Sequence, residues 1–380
     1  MRYLDHAATT PVRPEVLQAM LPYLTERFGN PSSHHTVGEA AAAALADARA
    51  RVARVLGFRP ADIVFTSGGT EADNLAVKGL AIGAALRRRA PVHVITTAIE
   101  HEAILASCDY LERVHGFAVT RLPVDATGTV DPDDLAAAIR PDTAVVSIGY
   151  ANNEIGTVQD AAALASVTAA AGVPLHLDAV QAAGWLPLAG TGADALSLAG
   201  HKVGAPQGIG LLAVRSRLPL EPVLHGGGQE RDRRSGTENL AGIIGLTTAL
   251  ELAEAERAES ASRVSALRDA FIARVLERVP SARLTGHPTR RLPGTASFTF
   301  AGTSGEAVLL ELERRGFVTS SGSACAAGSD EPSHVLLACG IAPEVAQTAV
   351  RFTFDHRERG DVISVADALA ASVAAVRSGA

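Results

Sequence analysis

The chain has 380 residues, 47% of them hydrophobic and 20% charged, with a formal net charge of -7 at pH 7. That length exceeds one compact core and suits two or three domains, while the acidic balance argues against a surface that binds nucleic acid directly. Pro, His, Asp or Arg interrupts every apolar run before bilayer length, so no membrane span is expected. The start, Met1-Arg2-Tyr3-Leu4-Asp5-His6, lacks the apolar stretch of a secretion signal, which makes the cytoplasm the expected compartment.

In chain order, Val37, Ala41, Ala44, Leu45, Ala48, Val52 and Val55 repeat at helical spacing and mark an amphipathic helix. Short β-rich runs follow at 63–66, 93–97, 119–122, 144–150, 175–178, 195–198 and 208–214, alternating with helical stretches. One of these, 135–140, is preceded by Asp131-Pro132, a cap followed by a residue suited to a first turn. Alternating α and β with apolar strands predicts an α/β fold: a largely parallel seven-stranded sheet with helices on both faces. From Gly236 the pattern changes to a long helical region ending near Val279, expected to be interrupted, with 251–259 exposed. Strands at 295–300, 318–320 and 349–354 then mix with helices at 305–315 and 362–376, which predicts a smaller α+β domain. The large domain is placed at 13–255, and the small one at 256–380 together with 1–12.

Cys108, Cys325 and Cys339 are too few and too irregularly spaced for a disulfide framework or a zinc site, and no metal is expected. Cys339 sits in a helical apolar stretch and Cys108 beside another, so both suit packing. Cys325 lies in the small-residue run 320–328, where a thiol is accessible, and is the nucleophile candidate. Lysine is scarcer still: only Lys78 and Lys202 occur, and arginine supplies the remaining basic residues. Arginine stays protonated, so chemistry that needs a free amine must use one of these two lysines or the N-terminus.

Three further motifs end predicted strands, where open α/β sheets bind ligands. Thr66-Ser67-Gly68-Gly69-Thr70-Glu71 lets backbone amides approach an anion at a helix N-terminus; the same turn also serves as a plain tight connection. Asp178, ahead of Ala179-Val180-Gln181, either caps the next turn or pairs with the protonated ring nitrogen of pyridoxal phosphate. Ser197-Leu198-Ala199-Gly200-His201-Lys202 holds the scarce amine in a sheltered turn between apolar strands. Partial desolvation there favours the free amine that a Schiff base requires.

Tyr3-Leu4-Asp5-His6-Ala7-Ala8-Thr9-Thr10-Pro11, Gly29-Asn30-Pro31-Ser32-Ser33, Glu100-His101-Glu102 and Asn152-Asn153-Glu154-Ile155-Gly156 extend this set. So do His225-Gly226-Gly227-Gly228-Gln229-Glu230 and Arg234-Ser235-Gly236-Thr237. Together, over essentially the whole chain, they resemble the cysteine desulfurases of the NifS/IscS branch, in the class V aminotransferase group of fold-type-I pyridoxal-phosphate enzymes. The resemblance implies that Lys202 carries the cofactor, Asp178 contacts its ring nitrogen, Gln181 its hydroxyl and His101 its ring face. It implies that Gly69, Thr70, Gly200 and His201 surround the phosphate, and that Thr237 reaches it from the other subunit of a homodimer. It further implies that Asn153 and Arg351 hold the carboxylate of L-cysteine. Cys325 then receives the sulfur as a persulfide and passes it to an acceptor protein. Iron–sulfur assembly, tRNA thiolation and DNA phosphorothioation all draw on such a persulfide. The chain departs from the family pattern at Ala199, where a phosphate-binding serine is usual, at Gly294, where asparagine is usual, and in Arg351-Phe352-Thr353-Phe354-Asp355.

Overall fold

The computed structural model describes residues 1–321 and 331–378. The first strand, β1 (Arg2–Tyr3), lies apart from a seven-stranded sheet built of β2 (Ile63–Thr66), β3 (His93–Thr97), β4 (Ala118–Leu122), β5 (Thr143–Gly149), β6 (Leu175–Asp178), β7 (Ala195–Ala199) and β8 (Gly210–Val214). Its order is β2-β8-β7-β6-β5-β3-β4. Every pairing from β7 through β4 is parallel, whereas β8 runs antiparallel to both β7 and β2. The predicted sheet is therefore present with one reversed strand. β2, β3, β7 and β8 are buried at every position, because helices cover both faces, and Val, Ile, Leu and Thr suit such strands.

Sequence turns set the helix ends. Asp131 accepts from the Asp133 amide to start Pro132–Ala138, and Gly57, Gly116 and Gly172 close the helices before them in the left-handed region. The helix Leu240–Arg278 runs 39 residues without interruption, contrary to expectation. Its charged stretch is held from outside: Arg51 pairs with Glu251 at 2.5 Å, Arg13 with Glu256 at 2.9 Å, and Arg263 donates to the His356 carbonyl. Those partners lie far off in sequence, and the Ala, Glu and Arg of the stretch favour helix intrinsically.

One end of this helix, from Leu240 to Ala253, packs into the core around the central sheet. The other, from Val264 to Val275, packs with Leu4, Phe298, Phe352 and Leu369 around a second sheet ordered β12-β10-β9. These strands are β9 (Ala282–Leu284), β10 (Thr295–Phe300) and β12 (Val350–Thr353). β1 pairs in parallel with β11 (Phe317–Val318), so the N-terminal segment lies against the second sheet, where Thr353 donates to the Leu4 carbonyl.

Gly210 of β8 packs against the Gly68 turn. A Cβ there would sit 2.6 Å from the Gly68 carbonyl carbon and 2.6 Å from the Leu198 carbonyl oxygen. Both are backbone atoms that cannot swing aside, so Gly210→Ala should cost about 1–3 kcal/mol, read as a lower denaturant midpoint with an unchanged slope.

Candidate active site

Because β2, β3, β5, β6 and β7 point the same way, the residues that follow them meet at one edge. Gly69 and Thr70 come from β2, Glu100 and His101 from β3, Asn152 and Asn153 from β5, Asp178 and Gln181 from β6, and His201 and Lys202 from β7. With Arg351 they line one cavity of about 370 Å³, a size suited to a small cofactor and substrate.

Lys202 ends a short 3-10 turn, Gly200–Lys202, held by the Gly200 amide donating to the Ile209 carbonyl. Its ammonium donates to the carbonyls of Ala7, at 2.5 Å, and Ala8, at 2.8 Å. The N-terminal segment thus fixes the amine, and Gln181 Nε2 donates to the same Ala7 carbonyl at 3.1 Å. His201 shares a 3.2 Å hydrogen bond with the Thr9 hydroxyl, and burial lowers its pKa to about 4, so it is neutral. The other lysine, Lys78, bonds Asn74 and lies over the Tyr110 ring.

Asp178 Oδ1 accepts from the Val180 amide at 2.9 Å, so turn capping and a cavity-facing carboxylate coexist. Burial raises its pKa, and His101 and Lys202 oppose the rise. His101 caps the helix Glu102–His115, its Nδ1 accepting from the Ala103 amide at 3.1 Å, which assigns the ring proton to Nε2. Gly69 and Thr70 open the 20-residue helix Gly69–Arg88 at the cavity wall, where its positive end favours an anion.

Arg351 is buried. Its Nη2 meets Asp5 Oδ1 at 2.6 Å and its Nη1 donates to the Asn153 carbonyl at 2.8 Å. Its backbone exchanges two hydrogen bonds with Ser320, so the arginine is tied to the strand that leads into the Cys325 segment. Cys325 itself lies outside the described residues. Cys108 and Cys339 are buried, and burial raises their thiols to about 12 and about 11.

Two expected residues stand off the cavity of this chain. Gly200 packs beneath it: a Cβ would meet the Ile209 side chain at 2.8 Å and Ala205 at 3.1 Å. Thr237 is exposed on the loop after Gly228, which is joined to the anion turn by Arg234 Nε and Glu71 Oε1 at 2.7 Å. Gly294 is explained by packing, since a Cβ would come within 2.9 Å of the Trp185 ring.

Sequence reasoning gave no role to two acids at the cavity, Asp73 and Glu100. Glu100 is 3% exposed and accepts from the Thr97 hydroxyl at 2.6 Å; burial is the main cause raising its pKa to about 8. The signal for Asp73 was a carboxylate among Ala72, Leu75, Ala76 and Val77 on a buried helix face. Protonation of Glu100 favours the folded state fully below its ordinary 4.5, and that contribution is lost as pH rises through about 8. Glu100→Gln should therefore flatten the fall in Tm of the cofactor-free protein across this window, measured by calorimetry against pH.

An amine, an acid facing it across the cavity, a histidine at the wall and a helix N-terminus form the donor set of a pyridoxal-phosphate enzyme. The class V aminotransferase model matches residues 2–363. Cysteine desulfurase IscS of Dictyoglomus turgidum is 45% identical over 353 residues, 92% of this chain and 89% of that protein. A solved NifS-like protein superposes with a TM-score of 0.90 at 33% identity over 100% of both chains. A structure described as SspA in complex with cysteine gives 0.81 at 37%, covering 93% of this chain and 99% of that one. The chain belongs to the class V aminotransferase family, and its cofactor is pyridoxal 5'-phosphate. Lys202, Asp178, Gln181, His101, Gly69, Thr70 and His201 all line the one cavity.

Proposed function

We propose that this protein is a cysteine desulfurase that converts L-cysteine to L-alanine and transfers the sulfur to Cys325. The observation that carries the reading is the joint placement of Lys202, Asp178, His101 and Arg351 around one cavity, with the Arg351 backbone bonded to Ser320 at the base of the cysteine segment. The relatives' names supply the reaction: IscS of Dictyoglomus turgidum and IscS of Methanosarcina thermophila, the latter 47% identical, are both cysteine desulfurases.

When bound, pyridoxal phosphate supplies an aldehyde that condenses with amines and a ring that accepts the electron pair released at the substrate α-carbon. The chain's own groups do the rest. Lys202 would hold the aldehyde through Nζ, and its amine would be the base for the substrate α-proton. Asp178 would balance the charge on the ring nitrogen, Gln181 would meet the ring hydroxyl, and His101 would cover the ring. Arg351 and Asn153 hold the substrate carboxylate and turn the thiol toward Cys325. The substrate C–S bond breaks and an S–S bond forms, so cysteine and a thiol become alanine and a persulfide with no outside oxidant or reductant.

The same reading includes a cytoplasmic homodimer in which Thr237 completes the partner's phosphate site, and an acceptor protein for iron–sulfur assembly or thiolation. It also divides the chain near residue 255, in keeping with the two cores that Leu240–Arg278 enters. No helix among the described residues is long and apolar enough to cross a membrane. Purified holoenzyme given L-cysteine should yield alanine and a persulfide on the Cys325 peptide, seen by mass spectrometry. Cys325→Ser should lose both, and sulfur release undiminished in that variant would overturn the assignment.

A further inference from the structure

Asp73 lies on the helix Gly69–Arg88, is 2% exposed and lines the cavity, and its Oδ1 has no hydrogen-bond partner. The nearest base is His176 Nε2 at 3.9 Å. That ring is already committed: Nδ1 shares a 2.9 Å bond with the Ser147 hydroxyl and Nε2 a 2.8 Å bond with the Ser197 hydroxyl. Fully buried between the two serines, His176 has its pKa lowered to about 3 and carries no charge. The adjacent strands β5, β6 and β7 hold this serine–histidine–serine string in register, with Ser147 opposite His176 and Asp178 opposite Ser197.

Asp73 therefore has no counter-ion. Among the described residues neither a lysine nor an arginine forms a salt bridge with it, and an isolated buried carboxylate takes up a proton rather than remain charged. The groups facing it point the same way. Asp178, at the end of β6, and Glu100, after β3, are acids whose charge would repel its own. Burial, Asp178 and Glu100 raise its pKa well above the ordinary value, and a hydrogen bond with Ser197 only partly opposes them. Glu100 is spent on Thr97. Asp178 has Lys202 and His101 as charged neighbours and accepts from the Val180 amide, none of which acts on Asp73.

We propose that Asp73 is a positioning residue that keeps its proton in the holoenzyme, leaving Asp178 as the one carboxylate whose charge faces the cofactor's ring nitrogen. Two interacting buried acids lining one cavity cannot both ionise cheaply; Asp73 takes the neutral role and supports Asp178 by adding no second charge. The inference rests on the cofactor and not on sulfur transfer, so failure of the desulfurase reading would leave it intact and separately testable.

The experiment uses the holoenzyme near neutral pH, with ¹³C-labelled aspartate and infrared difference spectroscopy. Wild type minus Asp73→Asn should show the carbonyl stretch of a protonated aspartic acid, lost in the variant. Cofactor dissociation, followed through fluorescence of the single Trp185, should stay within about threefold of wild type in Asp73→Asn. It should weaken by about tenfold or more in Asp178→Asn, the loss expected for a hydrogen bond to a charged group. A merely structural Asp73 would not move the acid band. Absence of that band from the difference spectrum, or an Asp73→Asn loss as large as that of Asp178→Asn, overturns the proposal. Should Asp73→Asn not fold, wild type and Asp178→Asn are compared: a protonated-aspartate band near neutral pH that persists in Asp178→Asn supports the proposal, and its loss there, or its absence from wild type, overturns it.

Discussion

Lys202→Ala should reduce alanine formation from L-cysteine by about 10³-fold or more, a loss of the order that separates an active-site acid–base group from water. Two properties of the amine set that size. On the proposed reading it both bonds the aldehyde and takes up the substrate α-proton. Lys202→Arg should not recover the rate, because a guanidinium neither condenses with an aldehyde nor gives up its proton. The contacts to Ala7 and Ala8 are carbonyl contacts that many side chains could lose without unfolding the chain, so circular dichroism should be unchanged. Steady-state rates at saturating cysteine, with alanine quantified directly, check the expectation.

Glu230→Ala should lower the unfolding free energy by about 3–5 kcal/mol, because it strands a buried guanidinium. Arg49 grips Glu230 with two bonds of 2.7 Å, and the pair is buried, at 9% and 1% side-chain exposure. Glu230 also accepts from the Phe65 amide at 3.1 Å, while Arg49 donates to the Ile63 carbonyl at 2.7 Å, so both partners are tied to β2. The pair holds a backbone that would not otherwise persist. Glu230, Arg231 and Asp232 take φ values of 49°, 61° and 62°, a left-handed run of three non-glycine residues. Losing the anchor frees that run, and with it the loop that carries Thr237. Cofactor binding should weaken in parallel if Thr237 completes a neighbouring phosphate site. Urea unfolding, with the slope compared between variants, measures the first effect.

The seven central strands were legible because each is a short run of β-branched and apolar residues bounded by turn signals, and burial on both faces removes the need for alternation. The reversal of β8 was not, since strand direction depends on a loop's path and not on the strand's own residues. The long helix was expected to be interrupted and is not; Arg13 and Arg51, some two hundred residues away, pair with its charged stretch. In the site, Lys202 and Asp178 stood out through scarcity or position at strand ends, and His101 only through the family resemblance. Asp73 and the Arg49–Glu230 pair did not, because their meaning lies in distances across the sheet. Gly200, expected at the phosphate, is also a packing position under Ile209, a need that sequence does not reveal.

On the proposed function, the amine of Lys202 carries the cofactor. Borohydride reduction of the yellow holoenzyme, followed by proteolysis and peptide mass mapping, tests it most directly. A phosphopyridoxyl group on the Lys202 peptide is the predicted result; the same label on Lys78 or the N-terminal amine, with Lys202 unmodified, would contradict it.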